Sequence, residues 1–154
     1  MKKQATSDNC FVCGRKNPFS LGLNFYVDEN GDTVAEVSFP DQYQGYPGIL
    51  HGGIAAAVLD EICGRAFSDN GDQFMVTSEL SVRYRKLVPL NTPLLAKGYK
   101  VSRKGRVAFA RGELLDRDGT VLVDARGTYV DIPEDKLQAM NPDSYGWRVT
   151  PDEN

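Results

Sequence analysis

The sequence predicts an α+β domain in which an antiparallel sheet wraps one long helix. The prediction rests on two strand-like runs before a single helical run, a period-two apolar pattern after it, and tight-turn residues between the strands. Only one predicted helix is long enough to cover a sheet face, so the sheet must curve around it. With 154 residues, 41% of them hydrophobic and 25% charged, the chain has the size and balance of one globular core. That balance argues against disorder.

Taken in order, Leu21 to Val27 and Thr33 to Phe39 read as strands joined by a tight turn at Glu29-Asn30-Gly31-Asp32. A loop rich in Gly, Pro and Tyr follows from Asp41 to Gly48. The long helix is expected from about Gly52 to Phe67, stopped by Ser68-Asp69-Asn70-Gly71-Asp72. From Met75 the pattern changes: Leu80, Val82 and Tyr84 alternate with Glu79, Ser81, Arg83 and Arg85 in a half-exposed strand. Leu94 to Arg103, Arg106 to Asp116 and Thr120 to Asp131 complete a four-strand meander. Its turns are Arg103-Lys104-Gly105 and Asp116-Arg117-Asp118-Gly119. Residues 1–133 therefore form the domain. Residues 134–154 form an acidic, proline-punctuated tail with one or two helical turns at Glu134 to Met140.

At 100° per residue, Ala55, Val58, Leu59, Ile62 and Ala66 make the buried stripe of the helix. Gly53, Ala57, Asp60 and Gly64 share another face. Each glycine there costs about 1 kcal/mol relative to alanine, so close approach of a backbone or a ligand is expected. Asp60 is the only charged residue in that wedge. Glu61 and Arg65 stand i,i+4 and read as an exposed ion pair. His51-Gly52-Gly53 leaves main-chain N–H groups uncovered at the positive end of the helix dipole, where developing negative charge is stabilised.

Three cysteines, Cys10, Cys13 and Cys63, cannot make a disulfide framework and suit a reducing compartment. Cys10-Phe11-Val12-Cys13-Gly14 has the spacing of half a zinc site. Cys63 and the single histidine, His51, do not form a second close pair. No metal is expected within one chain, and the cysteines read as small buried apolar residues. The N-terminus has a basic tip with no apolar stretch behind it, so neither a signal peptide nor a membrane span is expected. The expected location is cytoplasmic.

The net charge of −3 conceals a strong asymmetry. Between Leu80 and Gly112 lie nine basic residues and no acidic one; the remainder carries nine basic against 21 acidic residues, a net of −12. Such an island favours one anionic ligand over bulk nucleic acid. Its aromatics are only Tyr84, Tyr99 and Phe109, too few for a single-strand stacking platform.

The run Tyr43-Gln44-Gly45-Tyr46-Pro47-Gly48-Ile49-Leu50-His51-Gly52-Gly53, with Asp60 nine residues after His51, resembles the hotdog-fold acyl-CoA thioesterases. The similarity is to the phenylacetate-degradation type with an H-G-G…D motif. The N-terminal CFVCGRKNPFSLGL is also similar to the opening of many members. The resemblance implies hydrolysis of an acyl-CoA thioester at a homodimer interface, as a dimer or a tetramer of two dimers. It implies Asp60 as general base or nucleophile, and Gly52 or Gly53 as the N–H that holds the thioester oxygen. His51 would fix the loop, and Thr77, with Ser78 as its neighbour in register, would position water. Some relatives place an asparagine six residues before the histidine, where this chain has Gly45. For the CoA phosphates the resemblance points to Arg103, Lys104, Gly105 and Arg106, with Arg83, Arg85 and Lys86 adding to the same mouth. No cofactor is needed, because water, a carboxylate and an oxyanion hole suffice. The alternatives are a hotdog acyl-CoA hydratase or dehydratase, and a non-catalytic acyl-CoA-binding protein. A sensor of that kind would need a DNA-binding segment, for which the chain shows no helix pattern.

Overall fold

The computed structural model describes residues 1–68 and 73–152. The expected helix stop at Asp69-Asn70-Gly71-Asp72 lies outside them. Seven strands, β1 (Lys2–Lys3), β2 (Tyr26–Val27), β3 (Thr33–Val37), β4 (Met75–Tyr84), β5 (Leu94–Lys104), β6 (Val107–Leu115) and β7 (Val121–Asp131), form one sheet. Every pairing is antiparallel, in the order β1-β2-β3-β5-β6-β7-β4. The long helix α1 (Gly52–Arg65) lies against β3 through β7, and a short helix α2 (Glu134–Met140) follows the last strand. This is the α+β arrangement expected, with the sheet wrapped around one helix. None of the described helices is long and apolar enough to cross a membrane.

Two details depart from the expected strands. The first predicted strand, Leu21 to Val27, pairs only at Tyr26–Val27; its N-terminal half is bound instead to the Cys10–Cys13 turn, through Leu21 N–H to Phe11 O and Leu23 N–H to Val12 O. The last four strands are not a simple meander. β5, β6 and β7 follow one another, but β4 pairs with β7 and becomes the edge of the sheet. The connection through Leu87 to Pro93 carries the chain back across the fold, which period-two patterning does not reveal.

The predicted stripe of α1 is the core: Ala55, Val58, Leu59, Ile62 and Ala66 are all buried. The first four meet Ala35, Ala96, Leu114, Val123 and Ala125 of the sheet, while Ala66 packs with Ala108, Ala110 and Tyr129; Phe25 lies under Arg65 at the C-terminal end of the helix. Gly98 and Gly112 are cross-strand partners beneath the helix. A Cβ on Gly98 would run into the Ile62 carbonyl, and one on Gly112 would lie 2.8 Å from Cys63 Sγ. The glycine pair thus sets how close the helix lies to the sheet.

The glycines on the other face of α1 make room for side chains. A Cβ on Gly64 would meet the Tyr129 ring at 3.3 Å, and one on Gly53 would meet His51 Nδ1 at 3.1 Å. The expectation of a bland exposed Glu61–Arg65 pair is corrected. The bond forms, at 2.8 Å from Arg65 Nε, but Arg65 is only 6% exposed. Its guanidinium donates to Ala5 O and Cys13 Sγ and stacks on Phe25 and Trp147. The chain after Met140 folds back over the N-terminal segment to make these contacts. Thr6 and Arg148 exchange main-chain bonds, Tyr145 O accepts from Asp8 N–H, and Lys3 pairs with Asp152.

Candidate active site

Asp60 sits two turns into α1, half-buried between β4 and β7. Its Oδ1 accepts from Thr77 Oγ1 at 2.8 Å and from the Tyr129 hydroxyl at 3.1 Å. Tyr129 also donates to the Asp60 main-chain oxygen at 3.0 Å. Two donors on one oxygen fix the carboxylate plane, and among the described residues nothing engages Oδ2. Burial, with Cys63 and Asp60 beside it, pushes the Tyr129 phenol well above its ordinary value, so it stays a neutral donor. Burial likewise raises Cys63 to about 12, which keeps it an inert thiol.

Thr77 reaches Asp60 because of the strand register. The β4–β7 ladder skips Ser78, with Thr77 opposite Tyr129 and Glu79 opposite Thr128. The bulge places the Thr77 and Tyr129 hydroxyls on the same carboxylate. A pocket of about 190 Å³ opens beside them, lined by Asp60, Gly64, Phe74, Thr77, Tyr129 and Trp147 among others. Phe74 and Trp147 pack with their rings 5.3 Å apart and give it an aromatic wall. Tyr129 and Trp147 were not legible as site residues in the sequence, since one depends on strand register and the other on the return of the C-terminal segment.

The helix start forms a second cluster. His51 is the N-cap, and its Nδ1 accepts from Gly53 N–H at 2.9 Å. The Gly53 N–H is thereby occupied. The Gly52 N–H has no acceptor among the described residues and points out at the positive end of the helix dipole. The Tyr84 hydroxyl donates to Gly52 O at 2.6 Å and locks this first turn to β4. The preceding loop is tied down by His51 N–H to Tyr43 O and Gly45 N–H to Ile49 O. A Cβ on Gly45 would lie 3.2 Å from His51 Cα, so the loop packs tightly against the residue that caps the helix.

The two clusters are not adjacent within one chain. From Gly52 to Asp60 is eight residues of helix, a rise of about 12 Å, too far for both to act on one carbonyl. The basic residues divide in the same way. Arg103, Lys104, Gly105 and Arg106 lie on the β5–β6 hairpin at the Met75 end of β4, where Arg103 reaches Gln73 and pairs with Asp131. Arg83, Arg85 and Lys86 lie at the other end of that strand, about 25–30 Å away. The expected single mouth is therefore absent from one chain. Several cations of the island are already engaged: Lys97 with Asp28 and Asp32, Arg85 with Asp124, and Arg111 with Glu113. Arg83, Lys86 and Lys104 are exposed.

Comparison with known proteins identifies the family. A family model described as the thioesterase superfamily matches residues 47–123, which include His51, Gly52, Asp60, Thr77 and Tyr84. A protein named as an esterase from Saccharolobus solfataricus is 33% identical over 114 residues, 72% of this chain and 79% of that protein. The acyl-coenzyme A thioesterase THEM4 of Bos taurus is 28% identical over 120 residues, 75% of this chain but 49% of its own length. The chain thus spans about half of that relative. Among solved structures, the thioesterase superfamily protein RHA08564 superimposes with a TM-score of 0.74 at 32% identity, over 80% of this chain and 61% of that one. The PaaI protein of E. coli, from a phenylacetic acid degradation operon, shares the fold, with a TM-score of 0.66 at 18% identity over 73% of this chain and 81% of its own. The Asp60 cluster and the capped helix start sit on the sheet-wrapped helix these relatives share, and this chain belongs to the thioesterase superfamily.

Proposed function

We propose that this protein hydrolyses an acyl-CoA thioester to free acid and CoA, at sites shared between two copies of the chain. The carrying observation is the Asp60 carboxylate, held at Oδ1 by Thr77 and Tyr129 beside an aromatic-walled pocket. Its Oδ2 takes the proton from water, or attacks the thioester carbon, while Thr77 Oγ1 orients the water. The carbonyl oxygen, as it gains charge, is held by a Gly52 N–H at a helix start. A THEM4 relative bears the name of an acyl-CoA thioesterase, and a related structure from Streptococcus mutans is bound to acetyl CoA.

The second copy answers both separations. β4 is a ten-residue edge strand, largely exposed, with Val76 and Tyr84 each about half open to solvent. Such an edge invites pairing with another chain. Helix α1 runs antiparallel to β4, since Gly52 touches Tyr84 and Asp60 touches Thr77. Pairing β4 with a second β4 about a two-fold axis carries one copy's helix start towards the other's Asp60. The same operation carries one copy's Arg83 and Lys86 towards the other's Lys104 and Arg106, making one cationic mouth for the CoA phosphates.

Complementation tests this reading. Asp60→Asn removes the carboxylate. Gly52→Pro removes the N–H at the first helical position, after an extended His51, while its added carbon meets the Tyr84 ring at 3.3 Å, so a circular-dichroism spectrum and thermal melt accompany the assay. Each variant alone should be nearly inactive. After subunit exchange, half of the dimers are mixed and one of their two sites is wholly parental, so activity should return to about a quarter of the parent's. Thiol release from acyl-CoA is the readout. No recovery on exchange would refute the shared site, and consumption of substrate without free thiol would favour a hydratase.

A further inference from the structure

We propose that Cys10, Cys13 and Glu61 form a binding site for a divalent, thiophilic cation such as zinc, next to the pocket that holds Asp60, which Glu61 also lines. A sulfur from each cysteine and a Glu61 carboxylate oxygen all lie within 4.8 Å of one another. Tetrahedral zinc with bonds of about 2.0–2.3 Å sets its ligands about 3.3–3.8 Å apart, so the cluster closes on an ion with about 1 Å of side-chain adjustment. Sequence spacing supplied two ligands and no second pair. The third comes from a helix about fifty residues away in the chain.

The surroundings of the sulfurs point the same way. Cys10 Sγ accepts main-chain N–H groups from Val12 at 3.3 Å and Cys13 at 3.5 Å. Cys13 Sγ accepts from the Arg65 guanidinium at 3.2 Å. A neutral thiol is a weak acceptor, whereas a metal thiolate carries the charge that such donors support. The turn itself is built: Gly14 N–H returns to Cys10 O at 2.9 Å, and a Cβ on Gly14 would collide with that same oxygen. Main-chain bonds from Leu21 and Leu23 hold the turn from behind. With two thiolates, one carboxylate, Arg65 and a divalent ion, the half-buried cluster is neutral. The two thiols release their protons to solvent as the metal binds, and water takes the fourth position. A bound ion would cross-link the N-terminal segment to α1 one residue beyond Asp60.

Cobalt is the probe. The reduced full-length protein, freed of metal by chelation, should take up one Co²⁺ per chain. Uptake should bring a thiolate-to-cobalt charge-transfer band in the near ultraviolet, bleached by one equivalent of Zn²⁺, and zinc should raise Tm. Cys10→Ser and Glu61→Gln should each weaken zinc binding by more than the roughly 10–100-fold lost with a supporting hydrogen bond. The half-buried Cys10 variant should keep the far-ultraviolet spectrum of the parent. Absence of the charge-transfer band in the parent protein at stoichiometric cobalt would overturn the proposal, whatever the variants do. An unchanged band in Cys10→Ser would overturn it equally.

Discussion

Asp60→Asn should separate chemistry from folding. Asparagine keeps an Oδ1 that can accept from Thr77 at 2.8 Å and from Tyr129 at 3.1 Å, and it fills the same space. What is lost is the charge on those two bonds. Charged hydrogen bonds are worth about 1.5–3 kcal/mol against about 0.5–1.5 for neutral ones, and half-exposure reduces the difference, so stability should fall by about 1–2 kcal/mol. For a chain of this size that is a Tm decrease of about 2–8 °C. The kinetic effect is larger, because an amide neither takes a proton from water nor attacks a thioester. Loss of a positioned base lowers kcat by about 10²–10⁴-fold, or about 2.7–5.5 kcal/mol of barrier. The assay is thiol release from a panel of acyl-CoAs differing in chain length and aromaticity, with circular dichroism and a thermal melt on the same sample. A folded variant that turns over within about threefold of the parent on the best substrate would refute the role given to Asp60.

Tyr84→Phe removes the hydroxyl that holds Gly52 O at 2.6 Å; it should cost about 1 kcal/mol in stability and about tenfold in kcat through a looser helix start, with little change in KM. Arg83→Glu and Lys104→Glu should each raise KM for acyl-CoA by about 3–10-fold, and far less for a short thioester without the nucleotide. That difference should shrink in high salt, and equal effects on both substrates would leave the island as ordinary surface. Gly112→Ala sets a methyl 2.8 Å from Cys63 Sγ beneath α1; a loss of about 1–3 kcal/mol is expected, read as a lower urea midpoint with an unchanged slope.

Local patterning revealed much of this protein. The 3.6-residue stripe Ala55, Val58, Leu59, Ile62, Ala66 and the turns at Gly31, Gly105 and Gly119, all with positive φ, appear where the residue types require them. Asp60, His51 and Gly52 stand out because a glycine-rich helix face and an uncovered helix start are costly unless something uses them. These features depend on neighbours within a turn or two of chain, and such neighbours are visible in sequence. The tertiary structure decided what depends on distant pairing. It moved β4 to the sheet edge, set Thr77 and Tyr129 on one carboxylate through a one-residue bulge, and buried Arg65 under Trp147. It also brought Glu61 to Cys10 and Cys13 and divided the basic island between two ends of one strand. Periodicity states which face of an element is apolar. It carries no information on which distant element covers that face or in what register, because many pairings bury the same apolar area and only packing of the whole chain selects among them.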